Sequence, residues 1–311
     1  MPYDLKNKLV IGVASSALFD LEESDKVFRE KGEKKYRNFQ EKNIDNKLKP
    51  GVAFPFIKRI LSLNDLSPDD QPLVEVIVLS RNDPETGLRV MRSIRKHKLD
   101  ITRSIFMQGR SPHEYMGVLN MSLFLSANEK DVKTAISRGY PAGQVVGTPA
   151  KDPSGTDVRI AFDFDGVLAD DSSEKIMKTS GLKHFHKNEL KKLNKPMHSG
   201  NMKELLQRIN YIQDIEEKLI RKKNKKGKTY KRRLHVAVVT ARNAPSNERV
   251  VITLQKWGVR VNDAFFLGGI EKADILGILR PHIFFDDQMT HLEKAAKKIP
   301  SVHVPYGVAN E

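Results

Sequence analysis

Cysteine is absent from the 311 residues. Its absence excludes disulfides, thiolate metal sites and a Cys nucleophile. It is compatible with a reducing compartment, so a cytoplasmic location is expected. No run of about 18 apolar residues occurs either, which argues against a transmembrane helix and a membrane partner. The apolar stretch 9–19 is short and runs straight into Asp20, Glu22 and Glu23. It reads as a buried strand rather than a signal peptide. No Walker loop, no dinucleotide fingerprint and no His spacing suited to a metal is found. Acid is missing from one segment only. Residues 218–233 hold ten basic side chains and no acidic one, so of the net charge of +15 only about +5 belongs to the rest of the chain. A protein basic throughout would suggest a polyanion partner, whereas one basic loop reads as a solvated connector. What is present is ordinary for a globular chain, with 39% hydrophobic and 30% charged residues. The length is enough for roughly two domains of about 150 residues.

The chain repeats itself. At an offset of 160, and without a gap, VIVLSRN (76–82) falls on VAVVTAR (236–242), and IFMQG (105–109) on FFLGG (265–269). Arg89-Val90 falls on Arg249-Val250, Gly117 on Gly277 and Phe124 on Phe284. At an offset of 149, VIGVASSALFDLEESDKVF (10–28) resembles RIAFDFDGVLADDSSEKIM (159–177). A tandem duplication explains this. Each half predicts short apolar strands alternating with helices. The strands fall at 9–14, 73–79, 104–107 and 122–125, then at 159–163, 234–239, 264–267 and 282–285, with a fifth at 302–304. That pattern implies an α/β protein with parallel sheets covered on both faces, one sheet per half. The join is expected at 147–156, rich in Pro, Gly, Ser and Thr. The two units are therefore 1–150 and 151–311.

The chemistry-bearing residues lie in the second half. In IAFDFDGVLADD (160–171) three apolar or small residues lead into Asp163, Asp165 and Gly166. Carboxylates at i and i+2 of a continuing strand point the same way. They would sit at the strand's carboxyl end, where open α/β sheets place ligands. Such a pair repels itself unless a cation or a shared proton neutralises it. Asp-rich turns and helix caps are the alternative explanation. Thr240 ends the next strand, where its hydroxyl and the following N–H groups could hold phosphate oxygens or cap a helix. Lys272 opens a helix after Gly268-Gly269, where it could neutralise a phosphate or face solvent. Asp286 and Asp287 end a further strand, as hard oxygen ligands for Mg²⁺ or as N-caps. Singly the Thr and the Lys are weak; four elements in order, each at the end of the proper strand, form a pattern.

DFDGV, then VVTAR, a Lys and FFDDQ, is the motif series of the haloacid dehalogenase-like phosphohydrolases, which this half resembles. The whole chain is similar to the cytosolic 5′-nucleotidase I family, in GVAFPFIK (51–58), NKP (194–196), VTARNAPS (239–246), RPHIFFDDQ (280–288) and VPYGVA (304–309). The resemblance implies two tandem Rossmann-like halves and Mg²⁺-dependent hydrolysis of nucleoside 5′-monophosphates such as AMP. It implies Asp163 as nucleophile, forming an aspartyl phosphate. Asp165 becomes the acid and base for the leaving 5′ oxygen and the attacking water. The metal ligands become Asp163, the carbonyl of Asp165 and Asp286, with Asp287 acting beside them. Thr240 and Lys272 hold the phosphate, and Arg242 is a further candidate for that task.

Mapped through the repeat, the first half lacks this machinery. Ala14, Ser16, Pro112, Ser126 and Ala127 fall opposite Asp163, Asp165, Lys272, Asp286 and Asp287, and only Ser80 keeps a hydroxyl opposite Thr240. A catalytically silent copy is expected, serving cover, base recognition or a homo-oligomer contact. Phe54 and Phe56 are candidates for stacking on a base, though aromatics flanking Pro55 also read as core anchors. The 76 residues between Asp163 and Thr240 exceed a simple crossover, so 172–233 is expected to form a helical cap. Within it Lys195 and His198 are candidates to reach the substrate. Two other functions stay open: a phosphatase of sugar phosphates or other small monoesters, and a non-catalytic nucleic-acid-binding protein.

Overall fold

The computed structural model describes residues 3–69, 71–148 and 155–310. Part of the expected join, 149–154, lies outside the described residues. The strands are β1 (Leu9–Val13), β2 (Phe19–Asp20), β3 (Lys49–Pro50), β4 (Val74–Ser80), β5 (Arg103–Phe106), β6 (Leu123–Ser126), β7 (Ala142–Val146), β8 (Val158–Phe162), β9 (Leu234–Thr240), β10 (Asp263–Phe266), β11 (Ile283–Asp286) and β12 (Ser301–His303). Among the described residues β2 and β3 pair only with each other. The other ten form one sheet in the order β10-β9-β8-β11-β12-β7-β6-β1-β4-β5. Two separate sheets, one per half, are therefore not what forms. The two sets of five have the same internal order, and both are parallel within. They meet edge to edge through an antiparallel pairing of β7 with β12 (Val145 opposite Val302).

Within the ten-stranded sheet, β7 is the strand that the hydrophobic pattern does not announce, and it makes the join. Its Gly143 lies so close to β12 that a Cβ there would stand 2.2 Å from Val302 Cγ1. The remaining strands form as the buried apolar runs require; all seven residues of β4 are buried. Some helix starts are capped by side chains, as where Asp83 accepts from Thr86 N and Asn128 from Asp131 N. One sheet face is covered by a core cluster drawing on both halves, from Leu9, Ile57 and Ile60 to Phe162, Leu206 and Ile209. The opposite face carries one smaller cluster per half.

The repeat extends to backbone detail. The helix Glu22–Lys42 is interrupted at Gly32 (φ 74°, ψ 176°), and the helix Ser172–Lys191 at Gly181 (φ 75°, ψ 174°), the same offset of 149. The β2–β3 pairing has its counterpart in a bridge between Ala169 and Ser199. Because β7 and β12 run in opposite directions, the carboxyl ends of the two sets of strands lie at opposite edges of the sheet. The loops that follow β1, β4 and β6 thus point away from the edge where Asp163 lies.

Candidate functional site

β8 delivers Asp163 to its own carboxyl end. The Asp163 N–H still donates to Phe285 O of β11 at 2.7 Å, so the ladder holds to that residue. A tight turn follows, in which Asp163 Oδ1 accepts from Phe164 N at 2.7 Å. Gly166 takes φ 71°, the left-handed region that favours glycine. A Cβ on Gly166 would stand 2.2 Å from Asp287 Oδ2, so the turn and the end of β11 are fitted against each other. β11 ends on Asp286, with Asp287 next, both fully buried.

Lys272 opens the helix Lys272–Leu279 and is buried, not a surface side chain. Its Nζ lies 2.7 Å from Asp163 Oδ2 and 2.8 Å from Asp286 Oδ2. Asp286 also accepts from Gln288 N at 2.8 Å and lies 3.2 Å from His291 Nδ1. Both oxygens of Asp287 are buried with no hydrogen-bond partner among the described residues. Asp163, Asp286 and His291 can each offer a ligand atom within 4.8 Å of the others.

Burial drives the charge balance here. It pushes the Asp163 carboxyl up to about 7, against the pull of Lys272 and with the push of Asp286. It pushes Asp287 up to about 10, helped by the charges of Asp163 and Asp286. Burial acts on Asp286 in the same direction, but Lys272 and His291 hold it below the usual carboxylate range. For Lys272 burial would lower the ammonium's pKa; the carboxylates of Asp163 and Asp286 outweigh it and raise it. Lys272 thus pairs with two of the three buried carboxyls and leaves Asp287 without a partner among the described residues. A hard divalent cation fits this donor set, because it would satisfy the bare Asp287 oxygens and cancel the remaining repulsion.

Thr240, the last residue of β9, is buried, and its Oγ1 accepts from Arg242 N at 3.3 Å. Arg242 does not present a free guanidinium for phosphate. Its Nε and Nη2 donate to the two oxygens of Asp165, each at 2.7 Å, and its Nη1 donates to Glu189 Oε2 and to Ser246 O. The sequence did not signal Glu189, which is fully buried and also accepts from Arg249 Nη1 at 2.8 Å and Ser173 Oγ at 2.9 Å. Burial pushes its carboxyl up, but Arg242 and Arg249 outweigh that and hold it low. His291 was likewise not signalled. Arg249 was visible as a repeat partner of Arg89 without a role attached.

The other candidates lie elsewhere. Phe54 and Phe56 are buried in the first half, where Phe54 packs 6.2 Å from Phe19 and 4.9 Å from His97, ring to ring. Both belong to the core cluster that the two halves share. Lys195 and His198 are exposed on the loop after Ser172–Lys191; Lys195 contributes its carbonyl to Arg249 Nε at 3.0 Å. The basic segment 218–233 is tied to the fold at its end: Arg232 pairs with Glu217, and Arg233 reaches Ser62 O at 2.7 Å.

A family model described as 5′-nucleotidase matches residues 1–311. The chain is 34% identical over 299 residues to human (Homo sapiens) cytosolic 5′-nucleotidase 1B, covering 94% of this chain. It spans about half that relative's length, 48%. No solved structure matches it significantly.

Proposed function

The chain belongs to the 5′-nucleotidase family, and we propose that it hydrolyses nucleoside 5′-monophosphates of the AMP class at the Asp163 cluster. One observation carries the reading: three carboxyls and one Lys converge at the carboxyl ends of β8 and β11, with both Asp287 oxygens lacking donors. A cytoplasmic location is part of the reading and rests on the relative's printed name, "Cytosolic". The two halves are read as copies of one haloacid dehalogenase-like unit, 1–150 silent and 151–311 catalytic. The equal strand orders and equal Gly32 and Gly181 breaks support this.

Mg²⁺ is the cation proposed, held by Asp163, Asp286, the Asp165 carbonyl and, directly or through water, Asp287. When bound it would screen the repulsion between the anionic nucleophile and the anionic phosphate. The chain's own residues do the rest. An Asp163 carboxylate oxygen attacks phosphorus, and the bond from phosphorus to the 5′ oxygen breaks. Asp165 gives its proton to that oxygen, then takes one from the water that attacks the aspartyl phosphate. Lys272 and Thr240 with the N–H groups after it hold the remaining phosphate oxygens. Arg242 is reassigned here from phosphate binding to orienting Asp165.

The helix Lys203–Asn224 buries Leu205, Leu206, Ile209 and Ile212 in the shared core. That makes it a crossover helix, so the cap proposed for 172–233 narrows to 172–202. Phosphate release from nucleoside 5′-monophosphates, 3′-monophosphates and sugar phosphates tests the function. A preference for 5′-monophosphates supports it, and equal or better rates on sugar phosphates would replace the substrate while keeping the mechanism.

A further inference from the structure

The two halves brace their second crossover helix in the same way. In the first half Arg89 Nε donates to Asn46 O at 3.0 Å, and its Nη1 to Gln40 Oε1 at 3.2 Å. In the second half Arg249 Nε donates to Lys195 O at 3.0 Å, and its Nη1 to Glu189 Oε1 at 2.8 Å. The positions correspond through the repeat: Gln40 with Glu189, Asn46 with Lys195, Arg89 with Arg249. For the brace itself a neutral acceptor is enough, because Gln40 supplies one. The carboxylate at 189 needs another reason.

That reason lies on its second oxygen. Glu189 Oε2 accepts from Arg242 Nη1, and Arg242 turns its other edge to both oxygens of Asp165. Where the first half has Gln40 it also has Asn82 in place of Arg242 and Ser16 in place of Asp165. The charged acceptor, the guanidinium and the acid thus occur together in one half and are all missing from the other. A two-bond Arg–carboxylate fork fixes the plane of both groups. Fixing Arg242 from behind therefore fixes the Asp165 carboxylate in front.

We propose that Glu189 is a positioning residue for catalysis, holding Arg242 so that Arg242 aims Asp165 at the leaving 5′ oxygen. This rests on the reading of Asp165 as acid and base. Glu189 touches no substrate; it acts through Arg242. The helix Ser172–Lys191, which carries Glu189 and Ser173, is thereby latched to the reacting end of the site.

The test separates aim from mere folding. The variant Glu189→Gln installs the first half's own residue, which serves the brace there. It is compared with wild type on two esters in the presence of Mg²⁺. One is a nucleoside 5′-monophosphate; the other is its analogue with sulfur as the bridging 5′ atom. The alkoxide needs a proton as it leaves. A thiol ionises near about 8.5, so the thiolate leaves without one. Displaced supporting partners of this kind cost about 10–100-fold in activity. The expected result is a kcat loss of that size on the oxygen ester, with KM near wild type, and a much smaller loss on the sulfur ester. Equal losses on both, or no loss on either, would overturn the inference while leaving the functional reading intact. Wild type inactive on both esters would overturn the reading and the inference with it. If thermal unfolding shows that Glu189→Gln does not fold, Glu189→Asp, which keeps the charge but shortens its reach, carries the same comparison.

Discussion

Asp287 has two oxygens out of water and no donor for either. An unpaired buried carboxylate is costly, and a carboxyl whose pKa rises on folding costs stability as pH climbs above its unfolded value of about 3.9. With its folded value pushed up to about 10 by burial and by Asp163 and Asp286, that cost is present at neutral pH. In chelator, Asp287→Asn is therefore expected to raise the melting temperature. Mg²⁺ is expected to raise the melting temperature of wild type, and much less that of the variant, since ligands stabilise the state they bind. A variant that melts lower in chelator, or gains as much from Mg²⁺, would contradict the donor set. At Asp163, Asp163→Asn is expected to cost about 10⁴-fold or more in turnover with an unchanged far-ultraviolet spectrum; near-wild-type rates would remove Asp163 as nucleophile. Asp163, Lys272, Asp286 and Asp287 were legible in the sequence because each sits at a strand end or helix start, where local pattern fixes position. Glu189 was not, because 53 residues separate it from Arg242 and it lies in a Lys-rich helix that reads as solvated. Its one sequence signal was the alignment of Glu189 with Gln40.

Elements set the geometry that these residues use. In the turn after β8, which carries Asp165, Gly166 takes φ 71° and packs directly against Asp287. Forcing a side chain into such a conformation costs about 1–3 kcal/mol, and a Cβ 2.2 Å from Asp287 Oδ2 adds a clash. Gly166→Ala is expected to destabilise the protein by that amount or more in denaturant titration and to lower turnover by displacing Asp287. Wild-type stability together with wild-type rates would contradict the fit between turn and strand. Most strands were readable because parallel strands buried on both faces are continuous apolar runs. β7 was not, because Ala142, Gly143 and Gln144 carry little hydrophobic signal, and what fixes β7 is contact with β12, far away in sequence. The long helical segments were readable as helix, but not which part is core. Leu205, Leu206 and Ile209 could be placed only once the shared sheet face was known.

The whole molecule follows from that one antiparallel seam. A single core cluster takes residues from both halves, so neither half encloses its own apolar face. Residues 151–311 expressed alone are expected to expose this surface and the β12 edge, and to aggregate or unfold well below the full chain's melting temperature. A soluble, fully active 151–311 fragment would contradict the shared core and deny the first half an essential role. The seam also turns the first half's strand ends away from the end of the sheet where Asp163 lies, so the cover proposed for the site is 172–202, within the second half. The likeness of the two halves was legible in the sequence, but the way their strands join was not, because sequence similarity carries no information on edge-to-edge packing. The proposed activity is hydrolysis of nucleoside 5′-monophosphates with a divalent cation at the end of the sheet that carries Asp163. The most direct measurement is phosphate release from AMP and the other nucleoside 5′-monophosphates, beside 3′-monophosphates and sugar phosphates, in Mg²⁺ and in EDTA. The account predicts release in Mg²⁺, favouring 5′-monophosphates and lost in EDTA; no release from any 5′-monophosphate, or release undiminished by EDTA, would contradict it.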